Sequence, residues 1–209
     1  MNIPFFNIGK TPEKRRNKII VFANQKGGCG KTTNCVLSAG QFVLKHHCRL
    51  VVLDGDPQRS IVKKHEQDRE RWPQLPPLYQ VVPCTQLSSE KETLNLIRAM
   101  RNEDFDFFID TPGSLTQEGY LPLLFEADAI VTTIQLEKTC INGTTSFVDM
   151  VAMVARENGL DKLPPFYFLP NQFNKNWGRK DELVEQQKFL DYFAKLGTVL
   201  PKIPNSAEI

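Results

Sequence analysis

Lys26-Gly27-Gly28-Cys29-Gly30-Lys31-Thr32-Thr33 follows the apolar run Ile19-Ile20-Val21-Phe22-Ala23 and precedes a stretch with helical spacing. Strand, glycine-rich turn and helix, with Lys-Thr at the helix start, is an arrangement that holds a nucleoside polyphosphate. Glycines let successive backbone N–H groups point into one concavity, and the helix N-terminus adds partial positive charge. Lys31 can reach the β- and γ-phosphates, and the Thr32 hydroxyl can bind Mg²⁺. A bare glycine turn capping a helix would need neither lysine and would explain neither threonine.

Outward from this loop, apolar runs alternate with helical stretches. Strands are expected at Ile19–Ala23, Leu50–Leu53, Gln80–Val82, Phe105–Ile109, Ala129–Ile134 and Phe166–Leu169, with a short last one near Val199. Helices are expected at Thr32–Lys45, Gln58–Arg71, Glu90–Arg101, Leu121–Phe125, Thr144–Glu157 and Asp181–Leu196, with Lys180 an alternative start for the last. Several strands are nearly continuous apolar runs, as in strands covered on both faces. The repeated strand–helix order predicts an α/β fold: a mostly parallel twisted sheet with helices on both faces. The phenylalanines of Phe105–Phe108 read as core rather than as a base-stacking platform.

Composition bounds the rest. A length of 209 residues with 41% hydrophobic side chains suits one domain with a sizeable core. No apolar run approaches the roughly 20 residues of a membrane-spanning helix. The five cysteines are scattered, with no C-x-x-C pair, which reads as reduced thiols and a cytoplasmic setting. The net charge of +2 excludes no partner class. Residues 1–18 read as an N-terminal arm ending in the basic cluster Lys14, Arg15, Arg16 and Lys18, and 19–209 as the domain. The arm is too short for a helix-turn-helix, so no sequence-specific DNA reading is expected from it.

The common phosphate loop is G-x-x-x-x-G-K-[ST]. Here Gln25 stands where the first glycine would be, and a second lysine, Lys26, opens the loop. This resembles the deviant Walker A loop of the ParA/MinD family of P-loop ATPases, and the ParA partition branch within it. The resemblance implies that Lys31 serves the nucleotide of its own subunit while Lys26 reaches across a dimer to the partner's ATP. The loop residues Lys26, Gly27, Gly28, Cys29, Gly30, Lys31, Thr32 and Thr33 would together hold ATP.

Ligands of open α/β sheets sit beyond the carboxyl ends of the strands. After the second strand comes Asp54-Gly55-Asp56-Pro57-Gln58, similar to the family's first switch region. A carboxylate suits the orienting of an attacking water, and Asp56 takes that catalytic role beside Lys26 and Lys31. Asp54 stands behind it or takes part in holding Mg²⁺. The family continues with Gly-Asn where this chain has Arg59-Ser60, a departure that touches the loop rather than the aspartates. The alternative is that both acids make a turn and cap the next helix.

After the fourth strand comes Asp110-Thr111-Pro112-Gly113. Apolar residues leading into an aspartate are the Walker B pattern, and Asp110 with Thr32 would hold Mg²⁺, which keeps part of its water shell. D-x-x-G is also a second-switch pattern, with the Gly113 N–H sensing the γ-phosphate. After the sixth strand, Asn171 is either a turn residue or, by the resemblance, the reader of adenine. Gln135 serves either structure or a subunit interface.

The resemblance extends from Lys18 to the end and implies ATP and Mg²⁺ as cofactors. It also implies an ATP-dependent homodimer, slow hydrolysis stimulated by a ParB-like adaptor, and nonspecific DNA binding in the partition of a plasmid, chromosome or mobile element. Lys175, Arg179 and Lys180 are the DNA candidates; mixed with Asp181, Glu182 and Glu185, they read equally as a solvated helix face. Family members commonly run on past the Ile-Pro segment, so a domain shortened at its C-terminus is expected. No membrane association is expected, because no C-terminal amphipathic helix is visible. An iron–sulfur reductase would need more than Cys140 after the second switch. The remaining alternative is a nucleotide-gated scaffold that positions a conjugation, secretion or polysaccharide machine and binds no DNA.

Overall fold

A computed structural model of the chain describes residues 16–25, 27–84, 87, 89–113, 118–172 and 180–204. Seven strands form one sheet in the order β3-β2-β4-β1-β5-β6-β7, every adjacent pair parallel. The strands are β1 Ile19–Phe22, β2 Leu50–Asp54, β3 Gln80–Pro83, β4 Asp106–Asp110, β5 Ala129–Ile134, β6 Phe166–Pro170 and β7 Thr198–Val199. The helices are α1 Lys31–His46, α2 Ser60–Arg71, α3 Glu90–Asn102, α4 Leu121–Glu126, α5 Lys138–Glu157 and α6 Lys180–Leu196, with a short 3-10 turn, Glu118–Tyr120, before α4.

The central strands β2 and β4 are buried at every position, which is why they read as unbroken apolar runs. Side-chain alternation splits the core in two. One face gathers Val21, Leu53, Ile109, Ile130 and Phe168 against α3 to α6. The other gathers Phe22, Leu50, Val52 and Phe108 against Cys35 and Ala39 of α1 and Ile61 of α2. Phe108 packs between Phe22 and Phe42, with ring centroids 5.5 and 5.3 Å away, so the phenylalanine run is core as expected.

Most element boundaries fall within one residue of the sequence expectation, but two helix starts differ by more. The second helix starts at Ser60 rather than Gln58, because the Asp56 carboxylate accepts the Gln58 N–H and Arg59 takes a left-handed φ of 52°. The fifth starts at Lys138 rather than Thr144. Asn142-Gly143 reads as a turn, yet burial of Cys140 and Ile141 draws the preceding residues into the helix.

Arg16, Asn17 and Lys18 belong to the folded body. Asn17 donates from Nδ2 to Met100 O at 2.6 Å, and the Lys18 N–H donates to Asp106 Oδ1 at 2.8 Å. Arg101 Nη1 reaches Asp128 Oδ2 at 2.6 Å, and the Ile19 N–H donates to the same oxygen at 2.8 Å. This clamp closes the amino end of the sheet and leaves the carboxyl end to the site.

Candidate nucleotide site

The site lies where the strand order reverses, beyond the carboxyl end of β1, between β4 and β5. Parallel register sets Asp110 beside both Phe22 and Asp54, so the loops after β1, β2 and β4 converge. Gly28 and Gly30 adopt φ of 80° and 83°, a conformation that disfavours other residues. Gly30 is the N-cap of α1 and no side chain caps that helix, so its first amides face the loop's concavity.

At the head of α1, Lys31 and Thr32 both engage Asp110. Lys31 Nζ lies 2.6 Å from Asp110 Oδ1 and also donates to the Thr111 carbonyl. Thr32 Oγ1 donates to Asp110 Oδ2 at 2.7 Å. Burial pushes the Asp110 carboxyl above its ordinary value, while the Lys31 charge and the bonds from Lys31 and Thr32 pull it partly back. A hydroxyl and a carboxylate set together at a helix N-terminus are hard oxygen donors that fit Mg²⁺. Gly113 stands across the loop: a methyl group added to it would lie 4.0 Å from Gly27 Cα.

Asp54 is fully buried, and its oxygens accept the N–H groups of Ile61, Val62 and Asp56 at 3.0, 3.1 and 3.3 Å. That is a cap for α2, whose N-cap Arg59 supplies no side-chain bond. Asp56 is half-buried and points its Oδ1 at the Gln58 amide, 2.8 Å away. Between them, the Gly55 N–H donates to the Asp110 carbonyl at 2.8 Å.

A polar brace not legible in the motifs holds the phosphate loop from the β5 side. Asn24 Nδ2 donates to Thr133 O at 2.7 Å and Thr144 Oγ1 at 3.3 Å. Cys29 Sγ lies 3.1 Å from Thr133 Oγ1, and Asn171 Nδ2 donates to the Cys29 carbonyl at 2.9 Å. Gln135 Nε2 reaches Gly28 O at 3.3 Å while its Oε1 accepts from Cys140 Sγ at 3.2 Å. The only sequence signal for Asn24 and Thr133 was their place at or just past strand ends, and for Thr144 its place at the expected start of the fifth helix. Lys26, Lys175 and Arg179 lie outside the described residues, as does the side chain of Lys180, which opens α6. Among the described residues no three or more His, Cys, Asp or Glu side chains gather into a metal-binding group, and no helix is long and apolar enough to cross a membrane.

Residues 20–209 match the family profile described as the CobQ/CobB/MinD/ParA nucleotide binding domain. The chain is 31% identical over 143 residues to maintenance of carboxysome distribution protein A of Halothiobacillus neapolitanus, covering 66% of this chain and 60% of that one. Among solved structures, a Borrelia burgdorferi B31 protein described as a plasmid partition protein, bound to AMPPNP, superposes with a TM-score of 0.68. It is 19% identical, over 92% of this chain and 87% of its own. The pNOB8 ParA bound to nonspecific DNA superposes with a TM-score of 0.63 at 17% identity, over 88% of this chain and 78% of that one.

Proposed function

Because the chain belongs to the CobQ/CobB/MinD/ParA family of nucleotide-binding domains, we propose that it is an ATPase that pairs two subunits around ATP and holds DNA without reading sequence. Its task is the partition or positioning of a cargo. The observation that carries this reading is the convergence of Lys31, Thr32 and Asp110 at the N-terminus of α1. Lys31 has its ammonium at the mouth of the loop, poised to turn from Asp110 to phosphate oxygens. Thr32 and Asp110 take Mg²⁺, which would neutralise phosphate charge when bound. Asp54 holds α2 behind them as a cap. Asp56 orients the attacking water, Gly113 senses the γ-phosphate, and Asn171 borders the adenine while bracing Cys29.

Lys26 completes the partner's site, so nucleotide binding drives pairing and slow hydrolysis, stimulated by an adaptor protein, releases it. Such an enzyme is a timer. Lys175, Arg179 and Lys180 are the proposed phosphate contacts on DNA. The fold is shared with a ParA bound to nonspecific DNA, which is compatible with the DNA reading. A second reading is a nucleotide-gated positioning scaffold that binds no DNA; the relative whose name concerns carboxysome distribution supports a positioning task under either reading.

Retention on immobilised duplex DNA with ATP, ADP or no nucleotide separates the two. Retention that needs ATP and falls with salt supports the DNA reading; none under any nucleotide rejects it and leaves the scaffold. Light scattering adds the dimer test. Lys26→Ala is expected to bind ATP as a monomer, and a persistent ATP dimer in that variant removes the role assigned across the interface.

A further inference from the structure

The loop after β2 carries Asp56 and the loop after β4 carries Gly113, but the chain supplies a third group that joins the two. Tyr120, seven residues beyond Gly113 in the 3-10 turn, is 1% exposed, and its hydroxyl donates to the Gly55 carbonyl at 3.1 Å. Gly55 is thereby held at both ends, its N–H on Asp110 O and its carbonyl on Tyr120 Oη. The turn that carries Tyr120 is itself anchored: Thr93 Oγ1 donates to Gly119 O at 2.6 Å. A methyl group on Gly119 would meet Leu87 O, so the turn lies directly on the chain leading to α3. The tyrosine belongs to the same buried core cluster as Leu123, Leu124 and Ile97, where a phenylalanine ring would serve as well. Its hydroxyl reaches the loop. Burial, then the nearby Cys84 and Asp56, pushes the phenol up to about 12, so it stays a neutral donor through the physiological range.

The geometry points to Tyr120 as a positioning residue for hydrolysis, tethering the Gly55 carbonyl to the anchored 3-10 turn and so fixing the backbone that carries Asp56. The inference rests on the ATPase reading above. A buried hydroxyl that merely found an acceptor would change stability alone; a tether changes turnover without changing nucleotide binding.

The test is Tyr120→Phe in the full chain, read by steady-state ATP hydrolysis and by amide hydrogen exchange. Loss of one hydrogen bond at the loop is expected to lower kcat about tenfold, with KM within about twofold of the wild type. Exchange across residues 54–60 is expected to quicken while α1 stays protected. Because Tyr120 acts through Asp56, adding Tyr120→Phe to Asp56→Ala is expected to slow turnover no further. Unchanged kcat with unchanged exchange at 54–60 overturns the inference, as does loosening spread evenly through α3 and α4. A wild type that hydrolyses no ATP removes the ATPase reading instead, and exchange at 54–60 then decides the tether alone.

Discussion

Lys31 Nζ sits 2.6 Å from Asp110 Oδ1 across the mouth of the sheet, with both side chains at or below 7% exposure. A buried pair with one partner removed leaves an uncompensated charge. Lys31→Met is therefore expected to abolish nucleotide binding and to lower stability by about 3 kcal/mol at neutral pH. The sign of the pH dependence follows from Asp110, whose carboxyl is raised above 3.8 chiefly by burial. A raised carboxyl contributes stability that is complete below 3.8 and lost as pH climbs through the raised value. Without the Lys31 charge that value rises further, so the variant's deficit is largest near neutrality and shrinks on mild acidification. Urea midpoints across a pH series check this.

Gly55 and Gly40 predict opposite outcomes for the same substitution. A methyl group on Gly55 would lie 2.7 Å from the Asp110 carbonyl, a backbone atom that can yield only by moving β4, whereas one on Gly40 meets nothing within 4 Å. Gly55→Ala is expected to lose about 2 kcal/mol and to slow hydrolysis. Gly40→Ala, in the middle of α1, is expected to gain about 0.5–1 kcal/mol. Denaturant unfolding of the two variants side by side is the measurement.

Asp128 ties the amino end of the sheet together. Burial alone would raise its carboxyl, but the bonds from Arg101 and the Ile19 amide, with the charges of Arg101 and Arg16, hold it below its ordinary 3.8. A lowered carboxyl contributes stability present above 3.8 and lost as pH falls through the lowered value. Asp128→Asn is thus expected to cost about 1–2 kcal/mol at neutral pH. The gap to the wild type should close in strong acid, and a gap that stays constant with pH would refute the ionic role.

Asn171 braces the phosphate loop through the Cys29 carbonyl, 2.9 Å from its Nδ2. Asn171→Ala deletes that bond and is expected to weaken ATP binding about five- to tenfold. Calorimetric titration with ATP reads the change directly. An unaltered dissociation constant would mean that Asn24, Thr133 and Gln135 hold the loop without it.

Much of the architecture was legible in the chain. β5 spans the expected residues, the other strands fall within one or two residues of expectation, and a parallel sheet followed from strands too apolar to have a wet face. The fifth helix was cut short because Asn142-Gly143 carries a local turn signal that core burial overrides. At the site, Lys31, Thr32 and Asp110 were readable because phosphate and metal chemistry restrict the residue types at a strand end. The capping of α2 by Asp54 was one of two readings of an acidic pair. Asn24 and Tyr120 carried no motif at all.

Residue order already contains the phosphate loop and the helix it opens, because glycine's access to positive φ and the Lys-Thr at a helix start are local properties. Strand length and periodicity are local too. The meeting of Tyr120 with Gly55, 65 residues apart, and of Lys31 with Asp110, 79 apart, is not. Both arise because β4 inserts between β1 and β2, a choice made by packing two apolar faces at once. Only the assembled sheet brings those side chains within hydrogen-bonding range, and no local pattern encodes which strand lies beside which.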